Sequence, residues 1–191
     1  MIESKELTQS LIEIYKKVGK ISSFRCEGSS MLPLITPGSM VKIEPLPAKK
    51  IRLGDIIAFR RSSHLVVHRV LKKYYHKRNL FFLEKGDSNP RAGIVKEKNV
   101  LGKVVKVERG EKFVSLDSDT WRLINYLVVR YGLVVNYAFK RLSSRREDSQ
   151  DGKENLLVKT APNIWPTFLY FLPKAIIVAG IILGAGRGKE N

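Results

Sequence analysis

Cysteine is nearly absent from this chain: 191 residues contain one, Cys26, so no internal disulfide framework holds it together. A lone thiol in this setting reads as a buried strand residue. Acidic residues are scarce too: 18 Asp and Glu stand against 35 Lys and Arg, a formal net charge of +17. Such a balance favours anionic partners, whether nucleic acid, anionic lipid or acidic protein, without choosing among them. Histidine occurs three times, as His64, His68 and His76. With one cysteine to join them, no cluster has metal-ligand spacing, so neither zinc nor any other cofactor is expected. The first 22 residues lack an apolar run. They carry Glu3, Lys5, Glu6, Glu13, Lys16, Lys17 and Lys20, while Leu7, Leu11, Ile12 and Tyr15 recur at helical spacing. This predicts a short amphipathic helix over 1–22 rather than a signal peptide.

What is abundant is β signal. Between 23 and 120, β-branched and aromatic runs are bounded by Gly, Pro, Asn or Ser, which predicts strands at Met40–Pro45, Asp55–Arg60, His64–Tyr74, Leu80–Glu84, Leu101–Glu108 and Lys112–Leu116. Arg61-Ser62-Ser63 and Arg109-Gly110-Glu111 read as hairpin turns. Many short strands without βαβ alternation predict a mainly β, antiparallel, coiled-sheet or barrel-like domain.

The period changes after Trp121. Leu123, Ile124, Leu127, Val128, Tyr131, Val134, Val135 and Ala138 recur on one helical face, opposite Arg122, Asn125, Arg130, Asn136 and Lys140. An amphipathic helix is expected over 121–142, then a charged, Ser-rich linker over 143–160. The C-terminal segment, 161–191, holds the apolar stretch WPTFLYFLPKAIIVAGIILGAG. As a helix it would reach about 33 Å, enough for a bilayer core of about 30 Å. Pro173-Lys174 interrupts it. A central Lys costs about 3 kcal/mol on an insertion scale, and the ten Leu, Ile, Val and Phe residues together return about 3–6 kcal/mol. The balance is marginal. A kinked span, two interfacial pieces and a helix packed on the domain all remain open; contact with a membrane surface is the expectation, its side unresolved.

The chemistry centres on GSSMLPLITPG, residues 28–38. A turn starting at Gly28 can expose a serine hydroxyl, while Met31, Leu34 and Ile35 anchor it in a core. Taken alone, Ser29 and Ser30 are ordinary turn serines, since a hydroxyl is inert at neutral pH without a base and an oxyanion site. His68 lies in the apolar strand HLVVHRV and, taken alone, is a satisfied core histidine. His64 borders a turn, and His76 sits in a solvated basic stretch.

Four blocks occur in order: GSSMLP at 28–33, RLGDIIAF at 52–59, VVHRV at 66–70, and KGDSNP at 85–90 followed by VLGKVVKV at 100–107. Together they resemble the signal peptidase I superfamily of serine endopeptidases, in particular the endoplasmic-reticulum and archaeal branch that uses histidine as base. The resemblance covers about residues 24–108. It implies a β-rich catalytic domain of signal-peptidase type with Ser30 as nucleophile and His68 as general base. It also implies that the Ser30 N–H belongs to the oxyanion hole, with Ser29 the residue that could stand in for a helper serine, and that Met31 and Pro33 shape the turn. Gly54, Asp55 and Gly86 become structural residues of the GD blocks. The implied partner is a peptide or precursor-protein substrate, extended along a sheet edge and with small side chains near the cut. Nucleic acid is not expected.

Three departures from the family pattern stand out. No Asp occurs between Asp87 and Asp117, where the family places the carboxylate that orients the histidine. Either Asp87 completes a triad, or the site is a Ser-His dyad, or activity is weakened; Glu97, between Lys96 and Lys98, reads as a solvated turn. Gly28 stands where a helper serine is common. The usual N-terminal anchor is missing from the pattern. Two other readings compete. A self-cleaving repressor would need a DNA-binding domain, and 27 residues before the turn are too few. A catalytically weakened basic module binding membrane or nucleic acid would keep the fold alone.

Overall fold

The computed structural model describes residues 21–62, 64–147 and 165–182. Eight strands lie in one antiparallel sheet: β1 (Ser22–Arg25), β2 (Met40–Pro45), β3 (Ile56–Arg61), β4 (His64–His76), β5 (Asn79–Lys85), β6 (Gly93–Lys96), β7 (Val100–Arg109) and β8 (Lys112–Ser115). Their order is β1-β2-β7-β3-β4-β5-β6, with β8 on the other side of β7. The sheet curls into a half-barrel, so the expected mainly β class is found. All six predicted strands are present within one or two residues. The two that composition did not reveal, β1 and β6, are four residues each and sit at the ends of the sheet order.

Curling comes from the strands themselves. Register shifts interrupt β2–β7, β3–β7 and β4–β5, and each extra residue bends its strand and adds twist. The β4–β5 shift lies between Val70 and Lys72, two residues beyond His68. The hairpin joining β4 and β5 turns through Lys77 and Arg78, both with positive φ, as a tight two-residue connection requires.

Two apolar clusters line the sheet. One gathers Ile51, Ile57, Phe59, Val70, Leu80, Phe82, Val95 and Val100. The other joins the residues after Ser30 to both helices: Met31, Leu34 and Ile35 meet Val41, Ile56, Val104, Trp121, Ile124 and Ile177. Burying each large side chain contributes about 1.5–3 kcal/mol, so the turn is anchored by the molecule's main core.

Helix α1 spans Asp119–Glu147 and α2 spans Trp165–Ile182. Ser118 caps α1, accepting the Trp121 N–H at 3.3 Å. The helix continues past the expected end at 142, because 133–147 contains neither Gly nor Pro to stop it. Its rotation also differs from the expectation. Trp121, Ile124, Asn125, Val128 and Val129 face inward, while Leu123, Tyr126, Leu127 and Val134 are exposed. A polar inward residue outweighs hydrophobic period here because Asn125 bonds a buried arginine, described below. In α2, Ile177 is buried and Gly180 lies against Ile124, so this helix packs on the domain. Among the described residues no helix is long and apolar enough to cross a membrane.

The expected N-terminal helix lies outside the described residues, except that Ser22 already begins β1. Of the expected linker, 148–160 lies outside them as well. Cys26 is half-buried just after β1 rather than buried within a strand, and burial pushes its thiol pKa up.

Candidate active site

The turn at 29–35 carries Ser30 on backbone that is fixed from three directions. Below it, Met31, Leu34 and Ile35 are 3%, 0% and 1% exposed. Within it, Leu32 N–H donates to Ser29 O at 3.2 Å and Ile35 N–H to Met31 O at 3.0 Å, and the Leu32–Pro33 peptide is cis. Arg109 donates from its guanidinium to the Pro33 and Leu34 carbonyls. Beside it, the KGD loop locks on: Ser88 N–H donates to Ser30 O at 2.8 Å and Ser88 Oγ to Leu32 O at 2.9 Å. Gly86 permits this approach, because a Cβ there would lie 2.6 Å from Ser30 O.

The Ser30 hydroxyl faces β4. Its Oγ lies 3.1 Å from His68 Nε2, a hydrogen bond between residues 38 apart in sequence. On its other nitrogen, Nδ1, His68 is hydrogen-bonded to Glu84 Oε2 on β5. Glu84 pairs in register with Val70, and from there its side chain lies on the same strand face as His68, two residues back. The imidazole is 6% exposed and the carboxylate 1%. Phe59 meets the ring edge-on, with centroids 5.9 Å apart. Burial works against the Glu84 charge. The hydrogen bonds and charges of His68 and Arg61 outweigh it and hold the carboxyl below the ordinary glutamate range. Ser30, His68 and Glu84 thus form one hydrogen-bonded chain.

The carboxylate is not Asp87. Asp87 instead receives Arg69 Nε on Oδ1 and Arg69 Nη2 on Oδ2, both at 2.8 Å. Its distance in sequence from the KGD turn to β4 is spanned on the opposite face of the strand, because Arg69 follows His68 and points the other way. Arg69 is fully buried and also donates to Gly54 O at 3.1 Å and to Asn125 Oδ1. Arg69 therefore ties β4, the KGD loop, the RLGD turn and α1 into one unit. Lys85 joins this side, where burial pushes its pKa down and the Asp87 charge partly restores it.

The remaining sequence candidates fall as follows. Gly54 has φ +86°, and Asp55 closes the same turn by accepting Arg52 N–H at 2.8 Å, a structural role. Met31 and Pro33 belong to the turn as described. Ser29 is exposed and lends its carbonyl, not its hydroxyl, to the turn. The Ser30 N–H makes no hydrogen bond to another described residue. His64 and His76 are exposed and remote in register from Ser30's partner, His76 resting edge-on to Phe81. Glu97 sits in a single turn of 3-10 helix. Glu84, Arg61, Arg69 and Asn125 were not singled out as site residues by the sequence. A signal for Glu84 did exist: Leu80, Phe82 and Glu84 share one parity of β5, and all three are buried, so a carboxylate occupies a core-facing position.

Among the described residues no group of acidic, His and Cys side chains could hold a metal ion. No protein-family model and no curated protein matches this sequence.

Proposed function

We propose that this chain is a serine endopeptidase of the signal peptidase I type, cleaving an extended segment of a peptide or precursor protein. The carrying observation is the chain Ser30 Oγ to His68 Nε2, His68 Nδ1 to Glu84. With Glu84 accepting from Nδ1–H, Nε2 is left unprotonated and able to take the Ser30 proton. Ser30 Oγ attacks the scissile carbonyl as that proton passes to His68. The resulting imidazolium forms beside an ionised carboxylate, and the developing oxyanion is met by the Ser30 N–H. His68 then protonates the leaving amine, the C–N bond breaks, and an acyl-Ser30 ester remains. Water then attacks the ester carbonyl as its proton passes to His68; the bond from the acyl carbon to Ser30 Oγ breaks, the acid leaves, and His68 returns the proton to Ser30 Oγ. The four sequence blocks and the β-rich fold support this assignment, and the Ser-His-Glu chain answers the missing downstream Asp.

We place the protein at a membrane surface. Leu123, Tyr126, Leu127, Val134 and Tyr137 of α1 and Leu172, Val178 and Ile182 of α2 are exposed apolar side chains that a membrane surface would cover. The excess of basic residues suits an anionic leaflet.

The test is cleavage of peptides with small residues near the scissile bond, followed by mass spectrometry. Wild type is expected to cut them, and Ser30→Ala and His68→Ala to fall to background. Equal turnover by all three would refute the assignment. No cleavage by wild type, with binding to anionic vesicles or nucleic acid retained, would favour the non-catalytic basic module.

A further inference from the structure

Glu84 has two carboxylate oxygens, and only one faces His68. The other, Oε1, lies 2.5 Å from Nη2 of Arg61, the last residue of β3. The Arg61 guanidinium is held a second time, its Cζ 5.2 Å from the centroid of Phe59, the same ring that meets His68 edge-on. Space for this seat is left by Gly93, which pairs with Glu84 in the β5–β6 register. A Cβ at 93 would overlap Glu84 Oε1 and lie 2.8 Å from Arg61 Nη2. Three strands thus converge to put one arginine on the far side of the orienting carboxylate.

We infer that Arg61 is a positioning residue that sets the pH range over which the His68–Glu84 pair works. The inference rests on the reading of Ser30, His68 and Glu84 as the reacting unit.

The physics concerns where a proton can go. A proton entering the pair, on either partner, converts the base to a form that cannot accept from Ser30. Arg61 already opposes that proton with a positive charge and occupies the oxygen it would otherwise take. Among the described residues, His68 and Arg61 are the charges that act on Glu84. Facing Glu84, β4 contributes His68, β3 contributes Arg61, and β6 contributes only Gly93. The Ser30 turn contributes a neutral hydroxyl. Arg69, Asp87 and Lys85 interact among themselves on the other side of the strands. The Arg61 side chain is 48% exposed while that of Glu84 is 1% exposed, so an exchange at 61 leaves the core intact yet alters the field at a buried group.

The experiment is the pH dependence of peptide cleavage by the full chain, together with NMR titration of the His68 ring protons. Arg61→Met is expected to move the acid limb of kcat/KM, and the titration midpoint of the pair, to higher pH by about one unit, the low end of single-charge effects because water screens an exposed guanidinium. On that limb the loss is about tenfold at fixed pH, and it exceeds any change on the alkaline plateau. Arg61→Lys is expected to restore part of the shift. A lowered plateau with an unmoved limb and midpoint would overturn the inference, as would an equal shift in both variants. If wild type cuts no peptide, the NMR midpoint still decides: an upward move in Arg61→Met upholds the role of Arg61 while the peptidase reading falls, and an unmoved midpoint overturns that role.

Discussion

Replacing Glu84 by Gln tests the electrostatic and orienting part that this carboxylate has in the proposed Ser30–His68–Glu84 unit. Shape is nearly conserved, so the 1% exposed position stays filled. What changes is what His68 Nδ1 meets. A carboxylate can only accept, which places the imidazole proton on Nδ1; an amide can donate, which moves the proton to Nε2, toward Ser30 Oγ at 3.1 Å. The base is then blocked, and the imidazolium that forms during attack loses its counter-charge. Loss of the orienting carboxylate in a serine triad lowers kcat about 10⁴-fold, about 5 kcal/mol of barrier. The structural cost is smaller. Arg61 loses its counter-charge but keeps the amide oxygen as an acceptor, and its side chain is 48% exposed to water. The assay is steady-state cleavage of a peptide substrate at the alkaline plateau, with thermal melting as the folding control. A kcat for Glu84→Gln within tenfold of wild type would refute the role given to Glu84 and leave a Ser-His dyad.

Asp87 is expected to behave in the opposite way. Asp87→Ala strands the fully buried Arg69 without a counter-charge, a loss of about 3–5 kcal/mol, or about 6–20 °C in Tm for a domain of this size; an unchanged melt with activity abolished would return Asp87 to the chemistry. Gly86→Ala pushes a methyl to 2.6 Å from Ser30 O and shifts the nucleophile, so kcat should fall about 100-fold, and turnover equal to wild type would show that the turn tolerates displacement. Because the folded-state pKa of Glu84 is lowered, the stability it contributes is fully present above its ordinary value of 4.5 and is lost as pH falls through the depressed value. The urea-midpoint gap between wild type and Glu84→Gln should therefore close on acidification below that value; a gap that widens there contradicts the assignment.

The strands were legible because alternation and turn residues agree with each other along 40–115, and the fold places them nearly where the pattern does. Ser30 and His68 were legible for another reason: a turn serine and a histidine inside an apolar strand are each bland, and only their order among the GD blocks joined them. Glu84 was hidden by the β4–β5 register shift, which no local pattern reports. The family pattern has its carboxylate downstream of KGD, whereas Glu84 stands three residues upstream of Asp87, in the strand. Arg69 hid in the same way, as one polar letter in VVHRVL. The face of α1 was misjudged because Asn125 is turned inward by Arg69, a tertiary contact that overrides hydrophobic period. The turn's anchoring was the opposite case: Met31, Leu34 and Ile35 are too apolar for a solvated loop, and all three are buried.

Whether Ser30 and His68 act as one unit is read from a comparison of single and double variants. Cleavage rates would be measured for wild type, Ser30→Ala, His68→Ala and the chain carrying both changes. Groups that share a single proton transfer are strongly non-additive, so each single change should bring the rate to background and the double change should lower it no further. Losses that multiply in the double variant, or cleavage by Ser30→Ala at the wild-type rate, would contradict the account.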